Sequence, residues 1–247
     1  MTTLPMNWPY PRWVAHRGAG KLAPENTMVA FKLGAQHGYR MFECDAKLSA
    51  DGQVFLLHDA TLERTTNARG LGSALSWAEL AKLDAGNWHS QAFAGEPLCT
   101  LEALSAWCRA NGYLLNIEIK PTPGDEARTG TMVAQEAARC WQGASVPPLL
   151  TSFQTATLAA AQAAQPDLPR GLLLNDPRPD WLEVATALAC VAIVCRYSLW
   201  NAQTVQAVQQ AGFRTLSYTV NEADEVTRLL ALGTDGIITD RVDLFKP

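Results

Sequence analysis

Two carboxylates and two imidazoles of this sequence lie in or directly after short apolar segments. Such segments are usually buried, and a charged side chain there is unfavourable unless it is paired or has a function. Glu43 and Asp45 are two residues apart, a spacing that places both side chains on one face of a strand. His16 and His58 each follow an apolar run. Carboxylates can bind a metal ion and imidazoles can transfer protons, so these residues could carry out metal-assisted acid–base chemistry.

A third carboxylate lies in the run Asn116-Ile117-Glu118-Ile119-Lys120. A strand covered on both faces is normally almost continuously apolar, yet this one has three polar side chains on one face. A purely structural ion pair between Glu118 and Lys120 is the alternative explanation. Three carboxylates at one place would repel each other without a cation, and an all-oxygen ligand set favours Mg²⁺ or Ca²⁺. We therefore expect Glu43, Asp45 and Glu118 to bind a hard divalent ion.

The two histidines are the candidates for proton transfer. If His16 and His58 end strands that open on the same mouth as the carboxylates, they can act as acid and base in phosphoryl transfer. Arg17, next to His16, can offer a bidentate fork to a phosphate. His37 and His89 are not accompanied by other candidate site residues, and we interpret both as structural.

The elements that must position these residues alternate along the chain as repeated βα units do. Apolar runs predict strands at residues 14–18, 41–48, 114–120, 149–153, 171–174, 191–196, 215–220 and 236–239. Ala- and Leu-rich stretches predict helices at residues 26–37, 101–110, 125–141, 155–164, 180–188, 202–211 and 222–232. Eight parallel strands predict an α/β fold of the TIM-type (β/α)8 barrel class, whose active-site mouth lies at the carboxyl ends of the strands.

One further run, residues 54–59, follows the second strand too closely for a crossover helix and must return as a β-hairpin. With Asp51-Gly52 as the two central turn residues, the register predicts Asp45 opposite His58. Residues 61–97 then form a small insertion, a candidate lid or wall over the site, with one short helix begun by a capping box at Ser76 and Glu79.

Composition limits the classes of protein and partner. A chain of 247 residues, 48% of them apolar, predicts one domain spanning residues 1–247. A net charge of −4 disfavours nucleic acid as a partner.

Residues 1–13 lack the pattern of a signal peptide and no apolar stretch is long enough for a membrane anchor, so we expect a cytoplasmic protein. The six cysteines form no C-x-x-C pair, which disfavours a zinc site or a disulfide framework. The sequence does not indicate an oligomeric state.

Several motifs, in order along nearly the whole chain, resemble the glycerophosphodiester phosphodiesterase family. They are His16-Arg17-Gly18, Pro24-Glu25-Asn26-Thr27, Glu43-Cys44-Asp45, Asp51-Gly52, His58-Asp59, Leu62-Glu63-Arg64-Thr65, Glu118-Ile119-Lys120-Pro121, Thr151-Ser152-Phe153, Tyr218-Thr219-Val220-Asn221 and Gly236-Ile237-Ile238-Thr239-Asp240. Within the family, residues 7–12 and the compact length look most like the cytosolic bacterial enzyme associated with glycerol-3-phosphate uptake.

The resemblance implies a barrel that cleaves small glycerophosphodiesters, such as glycerophosphocholine or glycerophosphoethanolamine, to sn-glycerol 3-phosphate and an alcohol. It implies a divalent metal on the three carboxylates, acid–base work by the two histidines and phosphate contacts from Arg17 and Lys120. Phe153 and Tyr218, each near a strand end, are candidates for the wall around the glycerol, although an aromatic residue there is as often plain core. Family members often carry tryptophan at the position of Tyr218.

Two other readings remain open from the sequence. A phospholipase D-like or phosphoinositide-cleaving barrel could share the same residues. A ligand-binding barrel without turnover is the alternative outside enzymes, and the complete set of charged residues argues against it.

Overall fold

The computed structural model describes residues 8–247 and shows eight parallel strands closed into a barrel. Residues 1–7 lie outside this range, and with them part of the segments used above to judge a signal peptide and the amino-terminal resemblance. The barrel strands are β1 (Trp13–Ala15), β2 (Met41–Leu48), β4 (Leu114–Ile119), β5 (Leu149–Ser152), β6 (Arg170–Leu174), β7 (Ala192–Arg196), β8 (Arg214–Tyr218) and β9 (Gly236–Thr239). β1 pairs with both β9 and β2, which closes the ring.

Helices follow or connect the strands as predicted. They are α1 (Met28–Gln36), the one-turn α2 (Trp77–Leu80), α3 (Leu101–Asn111), α4 (Glu126–Cys140), α5 (Thr155–Ala164), α6 (Trp181–Ala187), α7 (Ala202–Gln210) and α8 (Ala223–Ala231). All eight predicted barrel strands and all seven predicted barrel helices are confirmed. The first strand is shorter than expected because Arg17 adopts a left-handed φ of 51°, which ends the extended chain just before His16.

The hairpin is confirmed, but its predicted register is wrong by one residue. β3 (Val54–Leu56) runs antiparallel to the end of β2, with Ala46 opposite Leu56. The turn has three residues rather than two, because Gly52 takes a left-handed φ of 86°, as three-residue hairpin loops require. Asp45 therefore bonds through its carbonyl to the amide of Leu57 instead of facing His58, which lies two residues beyond the end of β3.

Two apolar layers hold the barrel. Inward-facing residues such as Val14, Met41 and Leu216 fill its lower interior. Outward-facing residues such as Ile117 and Leu172 pack against the helices. The alternation along β4 follows from this division: its isoleucines face the helices and its polar residues face the interior.

The insertion packs around a small apolar cluster of its own. Leu62 and Leu80 are fully buried there against Phe55 of β3. The predicted short helix is present, and the Glu79 carboxylate accepts a hydrogen bond from the amide of Ser76 at 2.8 Å. This arrangement fixes the insertion beside the carboxyl ends of β2 and β3.

Across residues 8–247, no helix is both long enough and apolar enough to cross a membrane.

Candidate active site

Three carboxylates from neighbouring strands converge inside the mouth of the barrel. Asp45 on β2 and Glu118 on β4 are register partners in the parallel ladder, and Glu43 is two residues before Asp45. One carboxylate oxygen from each lies within 4.8 Å of one oxygen from each of the others. The two-residue period of the strands thus builds the cluster that the sequence predicts.

Each member of this cluster has an oxygen available for a ligand. Among the described residues, Glu43 Oε1, Asp45 Oδ1 and Glu118 Oε1 are buried without a hydrogen-bond partner. Lys120 Nζ lies 3.1 Å from Glu118 Oε1, but it is not aligned for a hydrogen bond. A buried anionic oxygen without a partner is costly, so three at one place indicate a site built for a cation. The donor set fits Mg²⁺ or Ca²⁺, which bind oxygen ligands.

Burial and the repulsion between the three carboxylates raise the pKa of two of them. Burial and the charges of Asp45 and Glu118 raise the pKa of Glu43 well above its usual range. Burial and the charge of Asp45 raise the pKa of Glu118 to about 7. Burial alone would raise the pKa of Asp45, but the cations around it, Arg17 foremost, lower it to about 2. Without a further cation, Glu43 and Glu118 therefore lose their protons less readily than free carboxyl groups do.

Asn26 orients the central carboxylate, a role that the sequence analysis missed. Its side-chain amide donates to Asp45 Oδ2 at 2.8 Å and its oxygen accepts from the Asp45 amide at 3.1 Å. Asn26 has a left-handed φ of 61°, a conformation that asparagine tolerates better than most residues. Because Asn26 binds Oδ2, Asp45 Oδ1 is left without a hydrogen bond among the described residues. The sequence analysis placed Asn26 at the start of a helix, and Thr27 does cap α1.

Both predicted histidines reach the site, and each is held by an aspartate. His16 Nδ1 lies 2.7 Å from Asp240 Oδ1, and His58 Nδ1 lies 2.7 Å from Asp59 Oδ1. A carboxylate can only accept, so each Nδ1 carries the proton and Nε2 is the working atom. His16 Nε2 points towards the carboxylate cluster, at 3.8 Å from Glu43 Oε2.

The environment of His58 favours its neutral form. Its Nε2 lies 3.0 Å from Lys120 Nζ, and an ammonium can only donate, so the imidazole accepts there. Burial, together with the charges of Arg17 and Lys120, lowers the pKa of His58 despite the opposing charge of Asp45. His58 therefore presents a lone pair at neutral pH.

Arg17 and Lys120 bring two positive charges to the cluster. The amide of Arg17 donates to Glu43 Oε2 at 3.1 Å, and its side chain lies 2.8 Å from Glu25 and 3.2 Å from Asp45. This amide bond helps to offset the strained φ at Arg17. Both cations thus border the carboxylate cluster.

The two predicted aromatic residues lie side by side at the same mouth. The rings of Phe153 and Tyr218 contact edge to face with centroids 5.8 Å apart. Lys120 Nζ lies 5.8 Å from the centroid of Phe153, and Tyr218 lines a small cavity together with His16, Glu43 and Glu118. All nine predicted site residues are thus near one another. His89 is instead bound to the carbonyl of Lys21 at 3.0 Å, in keeping with the structural interpretation, and His37 caps the end of α1.

Comparisons with known proteins show which family the chain resembles. The pattern of the Glycerophosphoryl diester phosphodiesterase family matches residues 16–244. A phosphodiesterase from Oleispira antarctica, solved in complex with the product sn-glycerol-3-phosphate, superimposes with a TM-score of 0.87 at 32% identity over 93% of each chain. A glycerophosphodiester phosphodiesterase from Agrobacterium tumefaciens gives a TM-score of 0.80 at 28% identity, over 96% of this chain and 99% of that one.

A sequence relative gives the same result. The glycerophosphodiester phosphodiesterase of Caldanaerobacter subterraneus is 30% identical over 231 residues, which cover 92% of this chain and 93% of the relative. Family match, whole-length relatives and barrel architecture therefore coincide. The chain belongs to the glycerophosphoryl diester phosphodiesterase family, and its activity is that of a glycerophosphodiester phosphodiesterase.

Proposed function

We propose that this enzyme uses a divalent metal ion and two histidines to hydrolyse small glycerophosphodiesters, such as glycerophosphocholine and glycerophosphoethanolamine, to sn-glycerol 3-phosphate and an alcohol. The product found in the Oleispira relative supports the glycerol phosphate half of this assignment. The observation that carries the proposal is the convergence of three buried, unpartnered carboxylate oxygens within 4.8 Å, beside two histidines.

Glu43, Asp45 and Glu118 would hold Mg²⁺ or Ca²⁺ through these oxygens. A cation bound there would polarise a phosphate oxygen and offset the charge that develops on it. Arg17 and Lys120 would bind the remaining phosphate oxygens, since both cations border the cluster. Their donors are held in place by Glu25 and Glu118, so little reorganisation is needed when the substrate enters.

His16 and His58 would transfer the two protons of the reaction. One Nε2 removes the proton from the attacking oxygen, which comes from water or from the glycerol 2-hydroxyl of the substrate. Attack by the 2-hydroxyl would give a cyclic phosphate, which water then opens to sn-glycerol 3-phosphate. The other donates a proton to the oxygen of the departing alcohol as its bond to phosphorus breaks. Asp240 and Asp59 support both roles, because each stabilises an imidazolium formed beside it.

The remaining predicted residues would enclose the substrate. Phe153 and Tyr218 form a continuous aromatic edge that suits the carbon chain of a glycerol moiety. The insertion of residues 61–97 would serve as the wall or lid on the opposite side, within a single domain of residues 1–247. Its side chains Arg64, Trp88 and His89 border a cavity that also reaches His16 and Arg17.

Product analysis on a panel of glycerophosphodiesters tests this proposal. The protein is stripped with chelator and assayed with each metal, and the phosphate product is identified by phosphorus NMR. We expect sn-glycerol 3-phosphate from each substrate and only with metal present. Release of phosphocholine from glycerophosphocholine, or full turnover in chelator, would contradict the proposal.

A further inference from the structure

A single arginine of the insertion joins two carboxylates at the edge of the active site. Arg64 Nε lies 2.6 Å from Asp59 Oδ2, and one terminal nitrogen lies 3.1 Å from Asp59 Oδ1. Its two terminal nitrogens also donate to Glu25, each at 2.8 Å. One guanidinium thus makes two-pronged contacts with both acids.

Each of these acids is bound on its other side to a group of the active site. Asp59 Oδ1 accepts from His58 Nδ1 at 2.7 Å. Glu25 Oε1 lies 2.8 Å from a terminal nitrogen of Arg17. Arg64 therefore links a histidine after β3 to the arginine after β1, although the two belong to different loops.

The chemistry of arginine suits this bridge. Its planar guanidinium offers five donors in a fixed fork, whereas lysine offers one flexible ammonium. Without Arg64, the Asp59 side chain, which is 30% exposed, could rotate, and Glu25 would lose two hydrogen bonds. A rotated Asp59 would release the His58 ring, and a rotated Glu25 would release the Arg17 side chain.

The bridge is not what fastens the insertion to the barrel. The Glu96 carboxylate accepts from the amide of Val29 at 3.1 Å, and His89 is bound to the carbonyl of Lys21. Leu62 and Leu80 bury the base of the insertion. The side chain of Arg64 is itself 43% exposed, so its removal leaves these attachments intact.

We propose that Arg64 is a positioning residue, which holds His58 and Arg17 in a fixed relative geometry through Asp59 and Glu25. This inference rests on the proposed roles of His58 in proton transfer and Arg17 in phosphate binding. The insertion would then position His58 and Arg17 for the reaction as well as cover the site.

The test compares Arg64→Ala with Arg69→Ala, an exposed arginine of the same insertion. We expect Arg64→Ala to lower kcat about 10–100-fold and to raise KM, as losses of supporting residues do. Arg64→Lys should recover part of kcat, because an ammonium can hold one acid at a time. Thermal unfolding and metal affinity should match those of Arg69→Ala.

Double-mutant cycles separate positioning from general destabilisation. Arg64→Ala added to Asp59→Asn should cost little more kcat than Asp59→Asn alone, and Arg64→Ala added to Glu25→Gln should raise KM little more than Glu25→Gln alone. Fully additive losses, or an Arg64→Ala enzyme with unchanged kcat and KM, would overturn the inference. If His58→Ala and Arg17→Ala are themselves fully active, the proposed function fails first, and this outcome is distinguishable from failure of the Arg64 inference alone.

Discussion

Asp240 Oδ1 lies 2.7 Å from His16 Nδ1 and joins residues 224 positions apart in the chain. The other oxygen of Asp240 accepts from the side chain of Asn221 at 2.9 Å, and the Asn221 oxygen accepts from the Asp240 amide. The carboxylate is therefore held on both sides. It fixes the imidazole with Nε2 directed towards the carboxylate cluster.

Asp240→Asn should lower kcat by about 10–100-fold, because the amide no longer stabilises the imidazolium and can hold the wrong tautomer. KM should change little, since no substrate contact is lost. Steady-state kinetics on glycerophosphocholine measure both. Asp243→Asn is the matched control, because the exposed Asp243 pairs with Arg241 away from the histidines. An equal loss of kcat in both variants would contradict a specific role of Asp240.

Removal of metal should abolish activity and lower the unfolding temperature, because the buried carboxylates then face each other without a cation. Glu43→Gln, Asp45→Asn and Glu118→Gln should each weaken metal binding by at least about tenfold. Calorimetric titration with Mg²⁺ and Ca²⁺ gives the affinities without relying on turnover. Glu183→Gln, an exposed change on α6, should bind metal as the parent does. Unchanged affinity in all three site variants would place the ligands elsewhere.

The two histidines should differ on substrates with different leaving groups. His16→Ala and His58→Ala should each cost about 10²–10⁴-fold on an ordinary glycerophosphodiester. On a p-nitrophenyl ester, departure of the leaving group needs little protonation, so the variant that lacks the acid should recover much of its rate. The variant that lacks the base should not. Equal and modest losses on both substrates would exclude proton transfer by either residue.

Glu136 of α4 offers a test of electrostatics away from the site. Burial raises its pKa from 4.5 to about 7, and its Oε1 has no hydrogen-bond partner among the described residues. The folded state thus holds the proton more tightly than the unfolded chain, so stability is present at low pH and is lost as pH rises through about 7.

Glu136→Gln should therefore raise the unfolding free energy at pH 8 and change it little at pH 5. Because the side chain keeps contact with solvent, we expect a gain of about 1 kcal/mol rather than the full value of the shift. Urea denaturation at the two pH values measures it. Glu183→Gln should show no such pH dependence, and a gain of equal size at pH 5 would point to packing instead.

The barrel was predictable because its strands and helices differ clearly in period and composition. Strands β2 (Met41–Leu48) and β9 (Gly236–Thr239) have the predicted bounds. The carboxylate cluster follows from the same regularity, since Glu43 and Asp45 are two residues apart on one strand. Polar residues on the otherwise apolar strand β4 indicated its third member, Glu118.

The errors arose where the conformation of one residue sets a hairpin register, or where contacts between distant residues give a side chain its role. The hairpin register depends on one left-handed residue, Gly52, and the sequence equally allows a turn of two or three residues. Asn26 looked like part of a helix start. Its bond to Asp45 spans 19 positions, so the local sequence does not reveal it. Asp59 and Asp240 lie directly after apolar segments, a signal that could have marked them, but only the folded chain pairs them with His58 and His16.

The pairing of β1 with β9 has a consequence for synthesis on the ribosome. His16 is made 224 positions before Asp240, the aspartate that orients it. A nascent chain can assemble Glu43, Asp45 and Glu118 long before it can complete the histidine pair. The growing polypeptide should therefore bring the three carboxylates together during translation and gain full hydrolytic activity only after Asp240 has left the exit tunnel.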